Sequence, residues 1–306
     1  MDIGEKQIQI INYVKNFLKE IEYFNIKSSL SSICYFTAWS ESPGYARLKL
    51  WINGWPYIFK FCKILLKNFI TIASHAEYVK INSRVSVNKY DTLVLSWCFK
   101  QNFQKDGSLQ DRYFLENSKD LPNAHWLLIS MDGYVPSNLS SNITIIKKKS
   151  SIFKFNFFSF IKTLVEKIIK YRFSPRKLFH YLYFHSHLAG KVSALLKEEL
   201  IKNNYQILLL PYEAQPFQLA SIIEAKKFND KIKTIGYIHT VLTPNPCDYI
   251  YRPGSPDLLL VHGESNAEIL NLKLNWPKEK LVVTQSFRYR KDKKRSLSNK
   301  IYTPYT

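Results

Sequence analysis

Short, predominantly apolar runs that end abruptly at a polar residue recur along this 306-residue chain. In the segment ILLLPYEAQPFQLASIIEAKKFNDKIKTIGYIHT, two such runs, Ile207–Leu210 and Thr234–Ile238, flank a stretch of helical length, Gln215–Phe228. Apolar runs of strand length on either side of a helix indicate a βαβ unit, in which parallel strands are buried on both faces. The segment therefore predicts two parallel strands joined by a helix.

Further runs of the same kind occur on both sides of this segment. They are Tyr90–Trp97, the run HWLLISMD that ends at Asp132, Leu258–Val261, the segment KLVVTQS at 280–286, and the strand-like ITIIKKKSS at 143–151. A helix is predicted between two of them, from Ser265 to Leu272. The alternation predicts an α/β fold, a Rossmann-like parallel sheet with helices on both faces.

Titratable side chains follow three of the predicted strands. Glu213 and His239 come just after the first two runs, and Glu264 comes just after Leu258–Val261. In an open parallel sheet, ligands bind outside the carboxyl ends of the strands. We therefore expect Glu213 and His239 to lie on one ligand-binding edge.

Both residues offer proton-transfer chemistry. Glu213 precedes Gln215 and Pro216 at the predicted helix start, where the helix dipole favours an ionised carboxylate that can accept a proton or bind a hydroxyl. His239 titrates near neutrality and could act as a base or contact a phosphate. Two structural alternatives stay open: Glu213 could cap the helix, and His239 could be a hydrogen-bonded structural residue.

Composition limits the class of protein. With 46% hydrophobic and 22% charged residues, the chain has the make-up of a folded globular protein. Its formal net charge of +20 invites a nucleic-acid interpretation. The sequence contains no zinc finger, RNP-type signature or P-loop, so that interpretation rests on charge alone and we predict no nucleic-acid partner.

Cysteines and histidines give no metal pattern. Cys34, Cys62, Cys98 and Cys247 are widely spaced and form no CxxC pair, which is typical of reduced cysteines in a cytoplasmic protein. The histidines of the FHSH segment at 184–187 are two residues apart and do not share a helix face. The N-terminal segment carries charges throughout, unlike a signal peptide, so we expect no export and a cytoplasmic location.

Two segments interleave aromatic and basic residues. They are SIFKFNFFSFIKTLVEKIIKYRFSPRKLFHYLYFH at 151–185 and YIFKFCKILLKNFITI at 57–72. Such helices suit the interface of an anionic membrane, and neither is apolar enough to span one. The alternative is that both are amphipathic helices of the core whose lysines face water.

A set of motifs extends over about residues 90–290. It comprises FQKDGSLQDRYF at 103–114, then HWLLISMDGYVP, LLPYEAQPF, GYIHT, PDLLLVHGES and LVVTQSFRY. In content and order this set resembles the N-terminal half of bacterial glycosyltransferases of the GT-B type. More narrowly, it is similar to proteins of surface-carbohydrate biosynthesis associated with lipopolysaccharide and capsule assembly.

The resemblance implies two Rossmann-like domains that face each other across a cleft. The first would bind a saccharide or lipid-linked acceptor, and the second a nucleotide sugar, which is a substrate rather than a cofactor. Residues 1–290, including the 151–185 region, would form the first domain, and residues 291–306 a linker or tail. The second domain would then be missing from this chain, or be supplied as a separate polypeptide.

Within that resemblance, Glu213 and His239 are the expected catalytic residues, and no metal is expected. The expected substrate-binding residues are Asp106, Gly107, Asp111, Arg112, Gln215 and Glu264. Because Asp-Gly is a common turn signal, residues 106–112 could instead form a turn with an Asp–Arg pair. For the whole chain, the alternative to a transferase is a catalytically inactive saccharide-binding or scaffold subunit, peripheral to the cytoplasmic membrane in either case.

Overall fold

A computed structural model describes residues 3–28, 49–73, 78–82, 90–149, 165, 184–240, 242 and 246–287 of the chain. Its strands are β1 (Tyr78–Asn82), β2 (Thr92–Cys98), β3 (Ala124–Ser130), β4 (Ile143–Lys148), β5 (Ile207–Pro211), β6 (Lys233–Tyr237), β7 (Leu258–His262) and β8 (Leu281–Thr284). Its α-helices are α1 (Ile3–Ser28), α2 (Ile58–Ala73), α3 (Phe184–Lys202), α4 (Pro216–Phe228) and α5 (Glu264–Leu274). Single 3-10 turns occur at Trp55–Tyr57, Lys100–Asn102, Cys247–Tyr249 and Lys278–Lys280.

All eight strands form one sheet in the order β1-β4-β3-β2-β5-β6-β7-β8. Neighbouring strands from β4 to β8 pair in parallel, and helix α3 packs against both α2 and α4. The prediction of a Rossmann-like α/β fold is confirmed, and the sheet is mostly parallel. Starting from β2, the order runs outward to β4 on one side and to β8 on the other, as in a doubly wound sheet.

Among the strands that the structure describes, β1 is the one that the sequence pattern missed. It pairs antiparallel with β4 at the edge of the sheet, so the sheet is not wholly parallel as predicted. Its residues, YVKIN, are half-buried or exposed and form no apolar run. An antiparallel edge strand on a parallel sheet is a common arrangement, and only the pairing with β4 makes these five residues a strand.

The central strands carry the core because both faces of the sheet are covered there. Every residue of β3 is buried, as are six of the seven residues of β2. Fully burying a Val, Leu or Ile side chain stabilises the fold by about 1.5–3 kcal/mol. The predicted strands match the observed ones to within three residues at each end.

The part of the chain that the structure describes contains no helix that is both long enough and apolar enough to cross a membrane. The aromatic and basic region at 151–185 lies outside the described residues except for Val165 and the start of α3. The segment 291–306 also lies outside them, so the division into a domain and a tail stays a prediction.

A buried polar cluster joins α3 to the amino-terminal edge of the sheet. His125 on β3 contacts the hydroxyls of Tyr205 and Thr144, the latter at 2.9 Å from Nε2. Lys80 on β1 forms a 3.0 Å ion pair with Glu199 on α3, and both side chains are more than nine-tenths buried. Burial lowers the pKa of His125 to about 4, against the opposing influence of the Glu199 charge.

The neutral His125 should make the fold sensitive to acid. The pKa of His125 in the folded state lies below its unfolded value of about 6.5. The contribution of the neutral imidazole to the free energy of unfolding is therefore complete above pH 6.5 and is lost as the pH falls through about 4. We expect this loss to be on the order of 3 kcal/mol of unfolding free energy. The measurement is urea unfolding between pH 7 and pH 4. His125→Gln should remove this part of the pH dependence, and an unchanged slope in the variant would contradict the assignment.

Candidate active site at the strand-order reversal

The sheet opens between β2 and β5, where the strand order reverses. β2 pairs with β3 along all seven of its residues, to Cys98, but pairs with β5 only over Thr92–Val94. The carboxyl halves of β2 and β5 therefore lie side by side without a shared ladder. A crevice at this position is where open α/β sheets bind their ligands.

Glu213 and His239 lie together at this edge, as predicted. β5 and β6 are in register through the pair Pro211↔Tyr237, so the residues two positions further on, Glu213 and His239, meet as well. Glu213 Oε1 lies 3.3 Å from His239 Nε2. Gln215 donates its side-chain amide N–H to Glu213 Oε2 at 2.6 Å. The three side chains form one connected group.

The backbone turns sharply at this group. Ala214 has a φ of 52°, a left-handed conformation that costs a non-glycine residue about 1–2 kcal/mol, and its side chain is fully buried. Gln218 Oε1 accepts the backbone N–H groups of Glu213 and Gln215, at 3.0 Å each. Gln218 thus caps the turn before α4, the role that was the structural alternative for Glu213.

The carboxyl of Glu213 is more basic than expected. Burial raises its pKa, while the hydrogen bond from Gln215 and the charge of Arg112 oppose the rise. The expectation that the helix dipole keeps this carboxyl ionised stays a prediction. The Glu213 side chain is 26% exposed and that of His239 only 6%, so a ligand in the crevice reaches Glu213 and not the imidazole.

The segment 103–114 forms a loop that is fixed over the ends of β2 and β6. Asp111, fully buried, accepts the backbone N–H groups of Tyr113 and Phe114 with one oxygen and the hydroxyl of Ser96 with the other. The Tyr113 ring then packs edge-on against His239, with centroids 4.6 Å apart. The visible contacts of Asp111 are those of an anchor, and its predicted contact with a ligand stays a prediction.

Arg112 projects from the same loop. Its guanidinium lies 5.6 Å from the ring centroid of Phe99, the residue after β2, and 5.4 Å from that of Tyr113. It is close enough to Glu213 to lower the pKa of that carboxyl. A cation beside a carboxylate is thereby presented at the opening between β2 and β5.

Other predicted binding residues lie apart from this group. Asp106 accepts hydrogen bonds from Ser108 and pairs with Lys119, whose hydrogen bond is the main cause that lowers the pKa of Asp106. Gly107, with a φ of 79°, packs its backbone against Asn138. Residues 106 and 107 form the turn that the alternative interpretation required, but Asp106 pairs with Lys119 and not with an arginine.

Glu264 is exposed at the start of α5, beside an open cavity of about 530 Å³. The cavity is lined by His262, Gly263, Val283, Thr284, Gln285 and Ser286, at the carboxyl ends of β7 and β8. His262 Nε2 contacts the hydroxyl of Tyr237, 2.8 Å away, and this hydroxyl also accepts the backbone N–H of Phe287. Among the described residues, no three His, Cys, Asp or Glu side chains meet in a way that could hold a metal ion.

Sequence reasoning missed two tyrosines of the site. Tyr113 stood inside the quoted loop motif, next to Arg112, and could have been singled out on that ground. No sequence pattern pointed to Tyr249, because only the fold brings this residue near Glu213. Burial, the negative charge of Glu213 and other neighbours raise the pKa of Tyr249, whose hydroxyl also has a hydrogen bond with Thr240.

No protein-family model matches the chain, and no curated protein matches it either. The interpretation of the crevice therefore depends on the geometry of its residues.

Gly107 is required for two reasons: its left-handed backbone conformation and its close packing against Asn138. A comparison with Gly133 separates the two effects. A Cβ at Gly107 would lie 1.7 Å from the Asn138 carbonyl oxygen, whereas a Cβ at Gly133, where φ is 74°, would meet nothing within 4 Å. Both alanine variants carry the left-handed cost, so Gly107→Ala should lose about 2 kcal/mol more unfolding free energy than Gly133→Ala. Equal losses, measured by urea unfolding, would show that the loop yields without cost.

The charge of Arg112 should lower the pKa of Glu213, against the larger effect of burial. Arg112→Gln removes a nearby cation, so the pKa of Glu213 should rise further above its ordinary range, as measured by carbon-13 NMR titration of labelled glutamate. The matched control is Lys119→Gln, which should raise the pKa of Asp106 and leave that of Glu213 unchanged. A Glu213 pKa that moves equally in both variants would contradict the local arrangement.

Proposed function

We propose that the crevice between β2 and β5 binds a saccharide acceptor and that Glu213 accepts the proton of its reacting hydroxyl in a glycosyl transfer. The observation that carries the proposal is the partly exposed Glu213 carboxyl, held by Gln215 and His239 where the strand order reverses. A raised pKa makes a carboxylate a better proton acceptor, as general base catalysis requires. His239 acts as a positioning residue behind it.

In the proposed reaction, the acceptor hydroxyl oxygen bonds to the anomeric carbon of a nucleotide sugar as its proton passes to Glu213. The bond between that carbon and the diphosphate oxygen breaks, and the nucleoside diphosphate leaves with the electron pair. Arg112, an exposed cation beside the carboxylate, is placed to stabilise negative charge on a phosphate. The Tyr113 ring limits how far His239 can turn from Glu213.

On this proposal the chain is the acceptor-binding half of a GT-B-type glycosyltransferase of bacterial surface-polysaccharide biosynthesis. The motifs between residues 90 and 290 support it, together with the doubly wound strand order. The nucleotide sugar would be held by a second Rossmann-like unit across the crevice, on the same or a separate polypeptide. The acceptor would be a free or lipid-linked saccharide, handled at the inner face of the cytoplasmic membrane.

A dinucleotide-binding role has less support. In the common dinucleotide fold, the first strand leads through a glycine-rich turn directly into a helix whose N-terminus holds the pyrophosphate. Here β2 is followed by residues 99–123, all of them described, which contain a 3-10 turn and bridged loops but no α-helix. Their single glycine is Gly107, which is packed against Asn138.

A non-catalytic saccharide-binding or scaffold subunit is the second candidate. It is favoured by one observation: the exposed guanidinium of Arg112 lies beside the partly exposed carboxylate of Glu213 at the crevice. Carboxylates and guanidinium groups bind sugar hydroxyls without any proton transfer. The two candidates differ only in whether Glu213 removes a proton.

The test is a pair of measurements on the same variants. Sugar transfer is followed with a panel of UDP- and GDP-sugars and bacterial surface saccharides, with and without any co-encoded second unit, and saccharide binding is followed by calorimetry. Glu213→Gln should lower transfer about a hundredfold or more while saccharide binding stays within a few-fold. His239→Asn should lower transfer less, about tenfold. Glu279→Gln, at an exposed 3-10 turn, is the control.

Each outcome has a definite meaning. Unchanged transfer in Glu213→Gln would remove this residue from the reaction. Saccharide binding by the wild-type chain without transfer under any condition would favour the scaffold candidate. Failure to bind any saccharide would overturn both.

A further inference from the structure

The most exposed large aromatic side chains of the described residues lie close together before and within α2. Trp55 is 82% exposed and Phe59 83%, while Leu66, two turns further along the helix, is 59% exposed. Phe59, Cys62 and Leu66 follow one another at helical spacings of three and four residues, so they share one side of α2. We call Trp55, Phe59, Cys62 and Leu66 the apolar face. Water contact over so much aromatic surface is unfavourable, and patches of this kind mark interaction sites.

Lysines border the apolar face on one side. Lys60, Lys63 and Lys67 are exposed, and their helical positions follow those of Phe59, Cys62 and Leu66 around the helix. Residues 49–73 contain no aspartate or glutamate at all. An apolar stripe with an entirely cationic flank is the arrangement of helices that lie in the headgroup region of anionic membranes.

The helix is held to the rest of the chain from its other side. Ile64 is buried and α2 packs on α3. Just before α2, the ring of Trp51 in the helical residues 49–53 stacks on Tyr13 of α1 at a centroid distance of 4.7 Å. The apolar face is therefore presented outward by a helix that is already packed, so binding does not require it to fold.

We propose that the apolar face binds the surface of an anionic lipid bilayer, with Trp55 and Phe59 at the boundary between headgroups and acyl chains. Lys60, Lys63 and Lys67 then lie at the level of the lipid phosphates. Charge decides between occupants: a second copy of a chain with a net charge of +20 would bring like charges together, whereas an anionic bilayer attracts them. This deepens the proposed membrane location and depends on it, but not on the transfer reaction.

The experiment is vesicle flotation of the full chain with two lipid compositions. Vesicles of phosphatidylglycerol and phosphatidylcholine should bind the chain at least tenfold more tightly than phosphatidylcholine alone, and added salt should weaken the binding. Trp55→Ser/Phe59→Ser should lower binding to the anionic vesicles at least tenfold. The matched control is Ile201→Ser/Leu272→Ser, which removes side chains of similar exposure, 65% and 70%, from α3 and α5 and should leave binding unchanged.

A second variant separates the cationic flank from the apolar face. Lys60→Gln/Lys63→Gln/Lys67→Gln should also weaken binding at least tenfold and should remove most of its salt dependence. Equal binding by the wild type and both variants would overturn the proposal. Self-association that disappears in Trp55→Ser/Phe59→Ser, without any vesicle binding, would overturn it in favour of a dimer interface. Neither result would affect the saccharide test, because these vesicles carry no saccharide.

Discussion

Strand β2 pairs with β3 to its last residue but leaves β5 after Val94, and the site depends on this unequal pairing. Where two parallel strands share no ladder, their carboxyl ends can separate and leave room for side chains from the loops beyond. Glu213 enters that space from β5 and Arg112 from the loop after β2. The same separation would not occur in the middle of a continuous ladder such as β5 with β6.

The loop at residues 99–123 connects β2 to β3, a connection that a helix makes in many doubly wound sheets. Because residues 99–123 form no α-helix, they can return across the sheet edge and cover the end of β6. Asp111 makes this path stable, since its buried carboxyl holds both the loop backbone and Ser96 of β2. Its burial, which raises the pKa of the carboxyl, is offset by three accepted hydrogen bonds. The same hydrogen bonds hold the loop backbone at Tyr113 and so fix the position of its ring against His239.

The candidate site was predictable where strand register decides it and not where loops decide it. Glu213 and His239 stand at equal distances beyond paired strand ends, so an alternating α/β pattern was sufficient to bring them together. Asp106 and Arg112 are six residues apart in one motif, yet the fold turns Asp106 towards Lys119 and Arg112 towards Glu213. Loop paths depend on tertiary contacts that no local pattern encodes, and the role of Tyr249 depends on them too.

The sequence by itself determined most strands of the core, since strands buried on both faces are predominantly apolar and their apolar runs end near the edge of the sheet. Only the tertiary structure decided the strand order, the antiparallel position of β1 and which of two neighbouring polar groups meets the solvent. It also decided that Glu213, rather than His239, is the group that a ligand can reach. The reason is that exposure and basicity depend on what packs around a side chain. Here the ring of Tyr113 packs against His239, and Glu213 is only partly buried.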